Sequence, residues 1–379
     1  MDGSIVERIL DLAVQIQQIP SPTFEEGLRA KFIYDQFLSI GPAAISVDDP
    51  GNISVCLMGR GNKPPLVVSA HLDTVFPLGT ALTCTRAEGR ISGPGIGDNS
   101  LGLAGLFGLY WYFSEGKQQK SGISDLPGDI WLVGNVGEEG LGNLKGMKSI
   151  VDRFGNEPSA YLVLEGMPLG QIYTRGLGVR RYRIHVHTRG GHSWVDYGRP
   201  SAIHEIAELV VKIKNMPMPI GPRSSLNIGI IKGGTSVNTI ASDASLELDL
   251  RSESSQELTH LVEQVEQFVK EANDRGRGEV VVQAEVIGDR PGGEIPTTHP
   301  LVRAAIDCYT REGIPVKLNI GSTDANVPLS RGYPAICLGL TNGGGSHTTG
   351  EYIETAPLDQ GFRILVNLVR SIFRMDASF

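Results

Sequence analysis

The sequence predicts an α/β fold in two domains: a layered α/β domain interrupted by an inserted ferredoxin-like α+β unit. Three observations predict it. The 379 residues exceed the roughly 250–300 at which a single hydrophobic core stops growing. Toward both ends of the chain, short apolar runs that close on polar residues alternate with helical stretches, the rhythm of strands and helices stacked in layers. Between them the order becomes β-α-β-β-α-β, that of a ferredoxin-like unit.

Taken in order, Ile5, Ile9, Leu12, Ala13 and Ile16 recur at helical spacing and predict an amphipathic first helix. The runs LVVSAHLDTV, IWLVGNVGEE and AYLVLEG read as strands, and the apolar stretch 101–113 as a helix. After Tyr173, YRIHVHT is a strand by alternation, 201–214 a helix, LNIGIIKGG and SLELDLRS strands, 256–273 a helix, and EVVVQAEVIG a strand. The α/β rhythm then returns and ends in a helix over 359–374. The expected division is 1–173, an insert at 174–289, and 290–379, with linkers at Thr174-Arg175-Gly176 and Asp289-Arg290-Pro291-Gly292.

Hydrophobic residues make up 40% and charged residues 20%, so the chain has the means to bury a core. A net charge of −8 without a basic cluster argues against nucleic acid or an anionic membrane as partner and favours small substrates. No apolar run approaches the roughly 18 residues of a membrane span, and the N-terminus lacks the pattern of a secretory leader. Cys56, Cys84, Cys308 and Cys337 show no CxxC spacing, which indicates neither a disulfide framework nor a thiolate metal site and fits a reducing cytoplasm.

Chemistry-bearing residues collect at the strand ends, where open α/β sheets place their sites. His71 and Asp73 share a strand face, so the carboxylate can accept one ring N–H while the other nitrogen binds a metal; a purely stabilising His–Asp pair has the same sequence. Asp98 follows the turn SGPGIGDNS and reads either as a helix N-cap or as a carboxylate bridging two metals. Ser100 stands where GxGxxG would need its third glycine, which discounts a dinucleotide site. Glu138 and Glu139 repel one another at a strand end unless a cation compensates, a division suited to one ligand and one general base, although solvated Glu-Glu pairs are common. Glu165 closes AYLVLEG, and His347 lies in TNGGGSHTTGEY, whose glycines permit a loop to bend a histidine into a site. Together these supply N and O ligands for two zinc ions sharing a bridge.

The segments SAHLDTV, GIGDNSLG, GEEGLGN, LVLEG and GGGSH, in that order around the insert, resemble the co-catalytic zinc metallopeptidase family of glutamate carboxypeptidase, aminoacylase, succinyl-diaminopimelate desuccinylase and peptidase T. The resemblance covers nearly the whole chain. It implies a zinc-peptidase catalytic domain with an inserted lid or dimerisation domain. It implies that His71 and Glu165 hold one zinc and Glu139 and His347 the other, that Asp98 bridges them through a turn with a cis Asp98–Asn99 bond, that Asp73 orients His71, and that Glu138 is the general base. Cobalt or manganese is an alternative occupant of such a site. In GGHSWVDYGRPSAIHEI, His192 resembles the histidine that polarises the scissile carbonyl, in several members from a neighbouring subunit. Asn238, Arg251 and Asp324 resemble substrate-contacting residues, although Ser322 departs from the family's GGTD segment. The layout looks nearest to peptidase T, which implies hydrolysis of short peptides by a tripeptide-type aminopeptidase, with water between the metals losing its proton to Glu138.

Several alternatives stay open. A carboxypeptidase, a dipeptidase or an N-acyl-amino-acid deacylase would use the same groups, and a non-catalytic metal-binding protein would keep them without turnover. His185 and His187 alternate on one strand face, which permits a separate metal pair with His192. No GxSxG elbow occurs, which leaves serine hydrolysis without support. A homodimer through the insert would follow if His192 acts across subunits.

Overall fold

A computed structural model describes residues 3–115 and 126–375; residues 1–2, 116–125 and 376–379 of the expected first and third segments lie outside it. The chain divides into two compact units, residues 1–176 with 293–379, and residues 177–292. Each boundary falls three residues later than the sequence suggested. The reason lies in pairing: Gln171–Gly176 stays in the larger sheet beside Lys317–Gly321 and Gly293–Glu294, while Val280–Arg290 runs on into the expected second linker.

Among the described residues the larger unit holds a nine-stranded sheet. Its order is Ala44–Val47, Ile53–Leu57, Ile130–Asn135, Leu66–His71, Ala160–Glu165, Ala335–Gly339, Gln171–Gly176 and Gly293–Glu294, with Lys317–Gly321 also pairing Gln171–Gly176. The central four strands are parallel. Leu66–His71 is buried throughout, as parallel strands covered on both faces must be, which is why they read as continuous apolar runs rather than alternating ones. Register sets His71 beside Asn135 and Gly339 beside Glu165, so several polar strand ends meet at one edge.

Helix Leu101–Glu115 is apolar on nearly all sides and its first ten residues are buried, the mark of a central helix. It meets its neighbours closely at Gly108. A Cβ there would stand 2.5 Å from Ile9 Cδ1 and 2.9 Å from Phe362 Cε2, so glycine sets the packing of the first and last helices against this one.

The inserted unit has the sheet order Ser224–Gly233, Asp243–Ser252, Gly178–Thr188, Val280–Arg290, antiparallel throughout. Tyr182, Ile184 and Val186, with Leu246, Leu248 and Leu250, bury one face with Ile206, Leu209, Leu261 and Val265 of helices Ala202–Lys214 and Ser255–Gly276. The other face carries charge: Arg181 reaches Asp249 at 2.8 Å and Arg183 reaches Glu247 at 2.9 Å. Ser254 caps the second helix by accepting the Glu257 N–H at 3.3 Å, a cap legible in Ser-x-x-Glu; this helix runs three residues past the expected end, to Gly276.

Candidate metal centre

His71 ends its strand and is buried. Its Nδ1 lies 2.9 Å from the backbone carbonyl of Asp73, so Nδ1–H donates there and Nε2 faces Asp98, where a metal could take it. The carboxylate of Asp73 stands farther off, at 3.6 Å from Nδ1. Its oxygens instead accept the backbone N–H groups of Glu138 at 3.0 Å and Glu139 at 2.8 Å and the hydroxyl of Thr23 at 2.9 Å. The ring is thus oriented mainly by a main-chain oxygen, and the Asp73 carboxylate anchors the turn bearing the two glutamates. Sequence spacing suggested the Asp73 carboxylate as partner of the ring; the closer atom is the Asp73 main-chain oxygen.

Asp98 follows Gly95, whose φ of +74° opens the turn, and its bond to Asn99 is cis. Its two oxygens divide: Oδ1 lies 3.0 Å from His71 Nε2, and Oδ2 lies 3.2 Å from His347 Nε2. Glu165 Oε2 is 3.6 Å from His71 Nε2, and Glu139 Oε1 is 3.2 Å from His347 Nε2. Donor atoms of His71, Asp98 and Glu165 lie within 4.8 Å of one another, as do those of Asp98, Glu139 and His347, and those of His71, Glu138 and Glu139. His347 holds φ at +65°, a left-handed conformation that only surrounding structure sustains for a side chain of this size.

Burial pushes the Glu165 carboxyl up to about 7, helped by repulsion from Asp98 and Asp324 and opposed by His71. Hydrogen bonds to Asp98 and Glu139 lift His347 to about 10. For His71 burial works downward, yet the nearby carboxylates of Glu165, Asp73 and Asp98 prevail and hold it well above its ordinary value. Burial would raise Asp98, but His347 and His71 keep it below the usual carboxylate range. The carboxylates favour positive charge on both imidazoles, and nitrogen and oxygen donors converging in this way could hold a metal ion.

Several supporting residues escaped sequence reasoning. Glu26 is buried and accepts the Gly137 N–H at 3.1 Å. Arg29, lowered to about 10 by burial, donates to the carbonyls of Leu72 and Ile19 at 3.0 and 2.8 Å. Their signal was the polar run SPTFEEGLR beside an apolar helix. Asp324 is wholly buried, and its Oδ2 accepts from Asn135 Nδ2 at 2.7 Å; it lies beneath the site rather than at its surface.

Within the inserted unit, Gly191–His192 pairs with Thr239–Ile240, and the Ser193 N–H donates to the Asn238 carbonyl at 3.0 Å. His192 and Asn238 are therefore neighbours, both exposed. His192 Nδ1 accepts from the N–H groups of Trp194 at 3.2 Å and Val195 at 3.4 Å, which assigns the ring proton to Nε2. Arg251 is not part of this cluster. It donates to Asp249 at 2.7 Å, and the strand Asp243–Ser252 sets roughly 25 Å between its position and the strand's start. His187 bonds Asp243 at 2.8 Å, and among the described residues it joins no group of metal-type donors.

Residues 177–277 match the Peptidase dimerisation domain and residues 52–165 match Peptidase family M28. Uncharacterized protein YqjE of Bacillus subtilis is 24% identical over 349 residues, covering 88% of this chain and 90% of that protein. A protein of Aspergillus clavatus named a probable carboxypeptidase is 26% identical over 267 residues, 62% of this chain and 60% of that one. Among solved structures, aminopeptidase PepT from Bacillus cereus shares the fold with a TM-score of 0.77 at 23% identity, covering 97% of this chain and 98% of that chain. These matches mark the chain as a hydrolase of peptidase type, an α/β unit interrupted by an inserted peptidase dimerisation domain.

Proposed function

We propose that the protein hydrolyses amide bonds in short peptides as a tripeptide-type aminopeptidase, with two divalent cations, zinc by donor type. His71 and Glu165 would hold one cation, Glu139 and His347 the other, and Asp98 both. The observation that carries this reading is the division of Asp98, whose oxygens lie 3.0 and 3.2 Å from the Nε2 atoms of His71 and His347. Bound there, cations of this kind polarise a carbonyl and bring the pKa of water to about 7.

The chain's own residues supply the rest. Glu138 is buried beside Glu139 and His71, placed to take a proton from water and return it to the leaving amine. His192, its Nδ1 committed to two backbone N–H groups, offers Nε2–H to the developing oxyanion. Its site of action is reached as a homodimer through the inserted domain. Asn238, beside His192, meets a polar group of the substrate. Arg251 holds a substrate carboxylate after exchanging Asp249 for it. Asp324 acts through Asn135 and the charge it places near Glu165. The four cysteines are free thiols and no helix among the described residues is long and apolar enough to cross a membrane, in keeping with a cytoplasmic enzyme.

The likeness to PepT supports the aminopeptidase choice; the name of the Aspergillus relative favours a carboxypeptidase as the second reading. A panel of free tripeptides, dipeptides, N-blocked peptides and acetyl amino acids separates these. Cleavage of free tripeptides at the amino end is the expected result. Hydrolysis confined to blocked peptides or acyl amino acids would replace it by the carboxypeptidase or deacylase reading, and binding of metal without any cleavage would leave a non-catalytic protein.

A further inference from the structure

We propose that Glu351 is a positioning residue of the metal centre, tying the turn of Asp98 to the loop of His347 and so setting the separation of these two ligands. The proposal rests on the metal-centre reading above. Glu351 is wholly buried. Its Oε1 accepts the N–H groups of Gly97 at 2.7 Å and Asp98 at 2.8 Å, and its Oε2 that of Gly95 at 3.1 Å. Its own carbonyl accepts the Gly93 N–H at 2.9 Å. One residue thereby gathers four donors from the turn that presents Asp98. On its other side it follows His347 by four positions, within a loop braced by Thr348 N–H to Gly345 O at 3.0 Å and Glu351 N–H to Thr348 O at 3.2 Å.

A carboxylate is a costly choice for this task. Among the described residues no Lys, Arg or His forms an ion pair with it, and a buried anion behind another carboxylate is unfavourable in the free chain. The arrangement becomes favourable when cations sit in front of Asp98, because ionised acceptors bind N–H groups strongly and an anion behind a ligand raises that ligand's basicity. A neutral amide would hold part of the turn without that second effect.

The test compares the full chain with Glu351→Gln and Glu351→Asp, each stripped with chelator and titrated with cobalt(II) and zinc(II). The wild type is expected to take two cations. Glu351→Gln, which keeps an oxygen for Gly97 and Asp98, is expected to hold one of the two about 10–100-fold more weakly, with an altered cobalt absorption band, a lower kcat and little change in KM. If that variant does not fold, as judged by circular dichroism, Glu351→Asp is read in the same way. Two cations bound at wild-type affinity with an unchanged cobalt spectrum, whatever the melting temperature, overturn the role of Glu351. A wild type that binds no cation overturns the metal-centre reading instead.

Discussion

The two units hold their candidate residues in opposite ways. In the larger one, His71, Asp73, Glu138 and Glu139 are buried, and hydrogen bonds involving the backbone fix them: the Asp73 carbonyl holds the His71 ring, and the Asp73 carboxylate holds the N–H groups of the glutamate turn. In the inserted one, His192 and Asn238 stand in exposed turns, joined to each other but not to Arg251. Buried polar groups must be paired where they are, so the first set is complete as folded. Exposed groups carry no such obligation, and the second set is left open to solvent.

Replacing Glu138 tests the first half of that contrast and carries the largest expected effect. Glu138→Ala is predicted to lower kcat by about 10³-fold with metal content unchanged, measured by elemental analysis beside the rate. Near-normal turnover would remove the assigned base. A smaller loss is expected on the other unit: His192→Ala should reduce kcat by about 10²-fold without altering melting temperature or metal content. Mixing this variant with Glu138→Ala sharpens the comparison, because a histidine that crosses between copies restores activity that neither variant has alone. No recovery on mixing would confine His192 to its own chain.

The third expectation is the subtlest and concerns stability in the metal-free state. Glu165 is raised from its ordinary 4.5 to about 7, so the folded chain retains a proton that the unfolded chain loses, and stability falls as pH rises between these values. His347, raised from 6.5 to about 10, contributes stability that is complete below 6.5 and is lost as pH rises through about 10. Both act in one direction. Chelator-treated protein should therefore unfold at lower urea concentration at pH 8 than at pH 5, and the difference should shrink on adding zinc. A flat or inverted dependence would show that the burial of Glu165 and the hydrogen bonds of His347 do not shift these groups as the geometry indicates.

Much of the larger unit was legible because its residues obey local rules. Parallel strands buried on both faces leave continuous apolar runs, and three of the four here close on a polar residue that the fold brings to one edge. The insert was legible through period-two alternation in its strands and helical periodicity between them. The boundaries slipped because a strand continues as far as its partner pairs with it, and that partner lies far along the chain: Gln171–Gly176 is held by Lys317–Gly321.

By itself the sequence determined which residue types stand at which strand ends, since patterning and ligand chemistry are written locally. Only the tertiary structure decided which atoms act. It gave His71 Nδ1 the carbonyl of Asp73 rather than its carboxylate as close partner, set Asp324 beneath the surface, separated Arg251 from His192, and brought Glu351 to the turn of Asp98 across 253 positions. Such contacts depend on distances that register and helix packing fix between remote segments, and no local pattern encodes them.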